Sequence, residues 1–545
     1  MPLRRRKDGI PQIAQVMGSH DLACPKVLLM TLLPKLRFNP IAFAFLLVFA
    51  CGSVLRFFPG LLTGFPINDG GMLLAMIRDL RLNGLILPAF TSYNFSSIPY
   101  AYPPLGMYLA AILSNLFSIA EIELLRWLPA LFCTLTIPAF YWLAQEITVS
   151  PIKAFLAASF YAILSGSYEW LIMGGGLTRS LGILCSIIAI RQAYRLFRGD
   201  ERSGALGAAV VWGALSVLSH PEMGLQTAVI FFVFWLYLGR GVSGVKKAVQ
   251  LLFGSVLLTS FWWLSVIYRH GLDPFISAVQ TGVHETLLAS LFHAFFSIQG
   301  DLPIMPILRI VGLFLVIRRR EFLLPLWSLA PFLADPRNAP AVAIFPFLLL
   351  ASEGLYALGT RFRDAYSITF PRDQNASRNL KIAGWCSLGT VFLYLFYTSF
   401  LSIQDLRAIS LSPSDRETMQ WIGNQTAPGS RFLLITNRGE ISPMVDSYQE
   451  WFPVVAERHS VSTLQGREWT LGSHFYLYSQ SLMALQACPQ VDCVHTWLRE
   501  NETQIDFILI QKQGTSEELL SSLTESQSYE VLYDSADVEI FAPSP

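Results

Sequence analysis

Charge is scarce in this sequence. Of 545 residues only 14% are Asp, Glu, Lys or Arg, against 53% hydrophobic and 13% aromatic, and the mean hydropathy is +0.46. That balance excludes an ordinary soluble globular chain. With a net charge of +1 and its basic residues scattered through short loops, the chain offers no nucleic-acid-binding patch. No Gly-x-x-x-x-Gly-Lys phosphate loop, paired Cys-x-x-Cys zinc set or serine-hydrolase elbow occurs, so soluble nucleotide chemistry has no seat. No inverted repeat of the kind found in many secondary transporters stands out. There are only seven cysteines. Cys24, Cys51, Cys133, Cys185 and Cys386 lie in the N-terminal tail or in apolar stretches, while Cys488 and Cys493 lie five apart in a polar C-terminal region. Those two are expected to form a disulfide, which fits an oxidising compartment.

Long apolar runs fill the middle of the chain, near 41–58, 103–120, 127–147, 152–170, 177–196, 204–219, 223–239, 248–268, 303–317, 322–334, 341–359 and 383–403. Their lengths suit a hydrocarbon core of about 30 Å. The expected fold is an α-helical polytopic membrane protein of about 11 to 13 spans with a C-terminal extracytoplasmic α/β domain. Arg4, Arg5, Arg6, Lys7, Lys26, Lys35 and Arg37 precede the first run with no cleavage site, so residues 1–40 read as an uncleaved cytoplasmic tail. Arg191, Arg195, Arg198 and Arg202, then Lys246 and Lys247, then Arg318 to Arg320, then Arg361, Arg363, Arg372, Arg378 and Lys381 fall in alternate loops, which the positive-inside rule makes cytoplasmic. The expected location is the plasma (cytoplasmic) membrane, with the C-terminus outside. Such a chain crosses an odd number of times, so either one of the twelve segments is not a span or Pro221 divides a single broken one.

The membrane domain is expected over 41–406, with outer loops 59–101 and 269–302 lying along the membrane surface, and the outer domain over 407–545. In the outer domain, Ser414-Asp-Arg-Glu417 reads as a capping box opening a helix through Ile422. Arg431–Thr436, Phe507–Gln511, Tyr529–Tyr533 and Val538–Phe541 read as strands, and Glu517–Leu523 as a helix. Asn94, Asn375, Asn424 and Asn501 begin Asn-x-Ser/Thr triplets, available to a host that glycosylates them.

The orientation set by basic residues gathers ionisable groups on the outer side: Asp69, Glu169 with Arg179, His220 with Glu222, His284 with Glu285, and Asp335 with Arg337. Ionisable groups near a bilayer are costly and tend to be functional. Asp69 sits in Asn68-Asp69-Gly70-Gly71, ahead of an amphipathic Met72–Leu87, where a carboxylate can take a proton from a hydroxyl; the competing reading is a turn built from turn formers. Glu169 precedes Gly174-Gly175-Gly176, whose backbone N–H groups could approach a phosphate or sugar or simply form a flexible turn. Arg337 offers a planar fork for phosphate oxygens, or an ion pair with Asp335. His220-Pro-Glu222 shapes a cavity or binds a metal, structural pairing being the blander alternative.

These features resemble the GT-C superfamily of integral-membrane glycosyltransferases, the group with protein O-mannosyltransferases and aminoarabinose transferases. The resemblance rests on Asn68-Asp69-Gly70-Gly71, on Tyr102-Pro103-Pro104-Leu105, on Gly174 to Arg179, on the second large outer loop and on the C-terminal domain. It implies transfer of a sugar from a polyprenyl-phosphate donor to the hydroxyl of a glycan, lipid or protein acceptor, with inversion at the anomeric carbon. It makes Asp69 the base and Glu169 a second acid. Arg337 with Arg179 becomes the phosphate-binding pair, and Tyr102, His220 and Glu222 line the substrate site. Asp69 lacks the adjacent Glu of the family pattern, which leaves dependence on a divalent metal open. A transporter or flippase, and a non-catalytic receptor or assembly factor, remain alternatives.

Overall fold

The computed structural model describes residues 39–200, 204–281, 286–297, 302–369, 374–436, 443–513 and 515–544. Each of the twelve apolar segments is helical, and the first connecting loop adds a helix of its own. In chain order the helices are α1 (Pro40–Thr63), the loop helix α2 (Gly71–Leu82), α3 (Leu105–Phe117), α4 (Glu121–Thr148), α5 (Pro151–Ile163), α6 (Gly176–Arg198), α7 (Ala205–Ser219) and α8 (Pro221–Leu238). They continue with α9 (Gly241–His270), α10 (Asp273–Gln280), α11 (Leu287–Phe296), α12 (Met305–Arg318), α13 (Leu323–Ala334), α14 (Pro340–Thr369), α15 (Gln374–Leu401) and the short α16 (Ile403–Ala408). Among the described residues, seven helices are long and apolar enough to cross a membrane, and five shorter apolar ones accompany them. The chain is a multi-pass membrane protein.

Local chemistry sets the helix ends. Asn39 caps α1 and Ser150 caps α5 through their side-chain oxygens, each followed by a proline at the first helical position, while Gly64 and Gly199 close α1 and α6 in the left-handed conformation. Pro221 does not divide one span. Gly213 packs on Phe231, Ser216 Oγ lies 3.3 Å from Thr227 Oγ1, and Gly224 packs on Val217, so α7 and α8 run antiparallel with only His220 between them. Proline at the start of α8 tolerates this turn because its missing N–H would be unpaired there anyway.

Inside the bundle the one strongly buried cation of α1, Arg56, is fully satisfied. It donates to the carbonyls of Gly52 (3.0 Å), Ala162 (2.7 Å) and Tyr161 (3.3 Å) and to Ser167 Oγ (3.2 Å), with its guanidinium 5.0 Å from the Tyr168 ring. Elsewhere close packing is made by glycine: a Cβ on Gly312 would stand 1.9 Å from the Leu350 carbonyl oxygen, and one on Gly354 2.2 Å from that of Leu308, so α12 and α14 meet backbone to backbone.

The C-terminal part starts with α17 (Pro413–Gln425). Its cap is Ser412 with Asp415 in a reciprocal capping box, not Ser414 with Glu417, because Pro413 takes the first helical position and shifts the register by two; Ser414 instead donates to Asp537. A five-stranded sheet follows, in the order His459–Ser460, Arg431–Ile435, Phe507–Gln511, Val538–Pro543, Tyr529–Asp534. The first three strands are parallel and the last two antiparallel to their neighbours, with Leu434 opposite Leu509 and Leu509 opposite Ile540. Around it pack α18 (Ser447–Val455), α19 (Phe475–Gln486), α20 (Val491–Glu500) and α21 (Glu517–Thr524); Cys488 and Cys493 form the expected disulfide. Helices α18, α19 and α20 were not expected from the sequence.

The first loop is enclosed by protein. In helix α2, Met72 to Ile77 and Leu80 are all buried, clamped between α3 and α4 on one side and α18 on the other. Asn94 in the same loop is buried and exchanges two hydrogen bonds with the Ser460 backbone (2.8 and 2.7 Å), so its triplet is closed to glycosylation in the folded chain. In the second loop α10 packs on the turns Arg467–Trp469 and Gly472–His474 of the C-terminal domain. Gly312→Val is expected to push α12 from α14 and lower stability by roughly 1–3 kcal/mol, read as an earlier thermal unfolding transition in detergent; Gly359→Ala, at a glycine with open space around it, should leave the transition in place.

Candidate active site

Where the two glycine-bearing segments meet, backbone touches backbone. Asn68 adopts φ +55° and Gly70 φ +127°, which turns the chain sharply before α2 and presents the Asp69 carbonyl to Gly174. A Cβ on Gly174 would stand 1.8 Å from that oxygen, and one on Gly175 2.5 Å from Asp69 Oδ2 and 2.9 Å from the Arg179 guanidinium. The glycines therefore neither cradle a phosphate nor make a loose turn. They let the loops close, and the Gly174 N–H donates to the Ile67 carbonyl across the junction (2.9 Å).

The closure fixes Asp69. Its Oδ1 accepts the Gly175 N–H (2.8 Å) and its Oδ2 the Arg179 guanidinium (2.9 Å), with only 15% and 14% of the two side chains exposed. Arg179 lies on the first turn of α6 and stacks over the half-exposed Trp170 ring at 4.2 Å. Asp69 is thus both a turn residue and a paired carboxylate.

The C-terminal domain supplies what the sequence reading missed. Glu450 of α18 is buried and accepts the Gly70 N–H on Oε1 (2.8 Å); its own carbonyl accepts the Tyr93 hydroxyl (2.8 Å), and Trp451 Nε1 donates to the Asn68 carbonyl (2.7 Å). Burial, and then the Asp69 charge beside it, push the Glu450 carboxyl up to about 8, against the opposing pull of the Gly70 N–H and of Arg179. Glu468, on the turn Arg467–Trp469, is pushed up to about 7 by burial, with its own and the Gly466 backbone N–H and Arg337 pulling the other way. One Glu468 oxygen, Oε2, is enclosed without a hydrogen-bond donor. Glu450 carried no sequence signal beyond its polarity, because its partner Gly70 is 380 residues away along the chain.

The other expected residues gather on the adjacent flank. Tyr102 donates to or accepts from Thr178 Oγ1 (3.1 Å) and stands edge-on between the His220 ring (6.1 Å) and Trp469 (5.9 Å). His220 Nδ1 lies 3.8 Å from Glu222 Oε2, and the Arg179 charge reaches both. Arg337, exposed on the Asp335–Ala339 loop, faces Glu222 and Glu468 and makes no ion pair with Asp335, whose carboxylate accepts from Asn338 instead (2.9 Å). A continuous run of charges thus leads from Asp69 through Arg179 and Glu222 to Arg337. Glu169 is buried on the turn ahead of the glycines, where its charge bears on Tyr168. His284 and Glu285 lie outside the described residues.

The donor set does not fit a divalent ion as it stands. Both Asp69 oxygens are taken by N–H donors, and among the described residues no three His, Cys, Asp or Glu side chains come together as ligands.

No protein-family model matches the sequence, and no curated protein matches it. Among solved structures, the chain is similar to the apo form of ArnT from Cupriavidus metallidurans, at a TM-score of 0.56 and 14% identity over 92% of this chain and 98% of that one. It is also similar to the archaeal oligosaccharyltransferase AglB from Archaeoglobus fulgidus, solved with an inhibitory peptide and a dolichol-phosphate, at a TM-score of 0.54 and 13% identity over 88% and 70%. At such identities the likeness shows the fold alone: this chain has the polytopic membrane fold that these two solved structures share.

Gly175→Ala is expected to force Asp69 and Arg179 apart and to cost roughly 1–3 kcal/mol, the usual penalty for overfilling a packed site. Thermal unfolding of the full chain in detergent checks it, and a transition unchanged from wild type would contradict the closed junction.

Proposed function

We propose that the chain is a membrane glycosyltransferase that moves a sugar from a polyprenyl-phosphate donor to an acceptor hydroxyl at the outer membrane face, by direct inverting displacement. The observation that carries this reading is the run of charges from Asp69 through Arg179 and Glu222 to Arg337, assembled from four separate segments of a GT-C fold at the edge of the helical bundle.

The chemistry asks little of the protein beyond placement. A phosphate-linked sugar already has a good leaving group, so the enzyme must orient the acceptor hydroxyl, remove its proton and neutralise the departing phosphate. Asp69 is the base: the Gly175 N–H and the Arg179 guanidinium each hold one of its carboxylate oxygens and fix its orientation. Arg337 is the cation available to phosphate, exposed and free of any ion pair to Asp335, while Arg179 contributes charge from behind Asp69. Tyr102, Trp469 and Trp170 present ring faces and edges suited to a sugar. Glu169 is retained as a second acid that supports the glycine turn. No step is routed through a metal.

Two further features support a lipid-borne donor at the outer face. A cavity of about 440 Å³, lined almost wholly by apolar groups of α6 to α9, begins at Val217 and Gly224, one helical turn from His220, and suits an isoprenoid chain. The basic ends of α6 (Arg191, Arg195, Arg198) and α9 (Lys246, Lys247) lie at the helix termini opposite those that bond the first loop, which in turn packs on the C-terminal domain, the arrangement expected if that domain is extracytoplasmic.

Asp69→Asn, expressed at wild-type level and assayed with a panel of polyprenyl-phosphate sugars, is expected to lose roughly 10²–10⁴-fold in turnover. Arg337→Ala should chiefly raise the donor KM, by about tenfold for one charged hydrogen bond. Undiminished turnover in the Asn variant would remove Asp69 from the mechanism.

A further inference from the structure

Two carboxyl groups share one cation at the domain junction. Arg179 bonds Asp69, whereas Glu450 forms no ion pair among the described residues and meets only backbone donors, the Gly70 N–H at 2.8 Å and the Met72 N–H. The groups that face Glu450 from the elements packed on it are Asp69 and Arg179 from the membrane domain and Tyr93 from the first loop. Helices α2 and α18 meet closely here, since a Cβ on Gly71 would stand 2.4 Å from the Glu450 backbone carbonyl oxygen. A second ionised carboxylate at this junction would be buried beside Asp69 with no cation of its own, an unfavourable state.

We propose that Glu450 is a positioning residue for Asp69, contributed by the C-terminal domain and working as an uncharged acid. It holds the Asn68–Gly71 turn through Gly70 while leaving Asp69 the single anion opposite Arg179. On this view the C-terminal domain completes the active centre; presenting an acceptor is not its only task. The catalytic half of the inference rests on the transferase reading above, but the state of the carboxyl pair does not.

The direction of the pH dependence follows from the raised proton affinity. Glu450 binds its proton more tightly in the folded chain than in the unfolded one, where the ordinary value is 4.5. Its contribution to stability is therefore complete below about 4.5 and is lost as the pH rises through about 8. Glu468, which faces Arg337 and Tyr93, titrates separately at about 7.

Infrared titration of the full chain in detergent tests this without any ligand. The wild type is expected to show a protonated-carboxyl band that vanishes with a midpoint near 8, and Glu450→Gln should lack that component while keeping the one from Glu468. In transfer assays with polyprenyl-phosphate sugars, Glu450→Ala should lose activity. Glu450→Gln should recover at least tenfold over it, because the amide mimics the neutral acid, and should no longer lose activity as the pH passes 8. A wild-type titration with no component removed by Glu450→Gln overturns the proposal, as does a Gln variant no better than Ala. If the band behaves as expected and no donor supports transfer, the carboxyl pair stands and the transferase reading fails.

Discussion

The contact between the Asp69 carbonyl and Gly174 is the constraint on which the site depends. Two loops approach so closely that only glycine fits at Gly174 and Gly175, and that approach puts the Gly175 N–H and the first turn of α6 within reach of the Asp69 carboxylate. A helix start is a favourable place for an anion, because its first N–H groups are unpaired and its dipole is positive there. Here the anion is part of the chain. The same closure brings Arg179 over Trp170 and toward His220 and Glu222, so a single backbone contact organises the charges on both sides of it.

The C-terminal domain is built into this junction. Its helix α18 lies on α2 through Trp451, Glu450 and Tyr93, its turn at Arg467–Trp469 closes over Tyr102, and the second loop holds that turn from the other side through α10. The first loop is consequently a buried layer between two domains. That explains why an amphipathic segment suited to a membrane surface is buried on most of its circumference: the face that would have met headgroups or water meets protein.

Much of the fold was legible because it follows from local rules. Runs of apolar residues must be helical in a bilayer, where every backbone group has to be paired within its own segment, and all twelve runs are helices. Strand periodicity in the C-terminal domain located Arg431–Ile435, Phe507–Gln511, Tyr529–Asp534 and Val538–Pro543 closely. Helix α18 was harder to see, since Pro453 interrupts it and nearly all of its residues are buried, which leaves no polar face to set a period. The cap of α17 was displaced because a serine two residues earlier is followed by proline, a stronger start signal than the Ser414 to Glu417 spacing.

The sequence by itself determined the membrane class and the helical segments, and it singled out Asp69, Arg179 and Arg337 as polar residues to be found near one another. These are properties of composition and short spacing. Only the tertiary structure decided that Glu450 and Glu468 join them, and that Gly174 and Gly175 serve loop closure. The reason is that a carboxyl group's charge, reach and partners are set by what surrounds it in space, and no spacing along the chain encodes a neighbour that arrives from another domain.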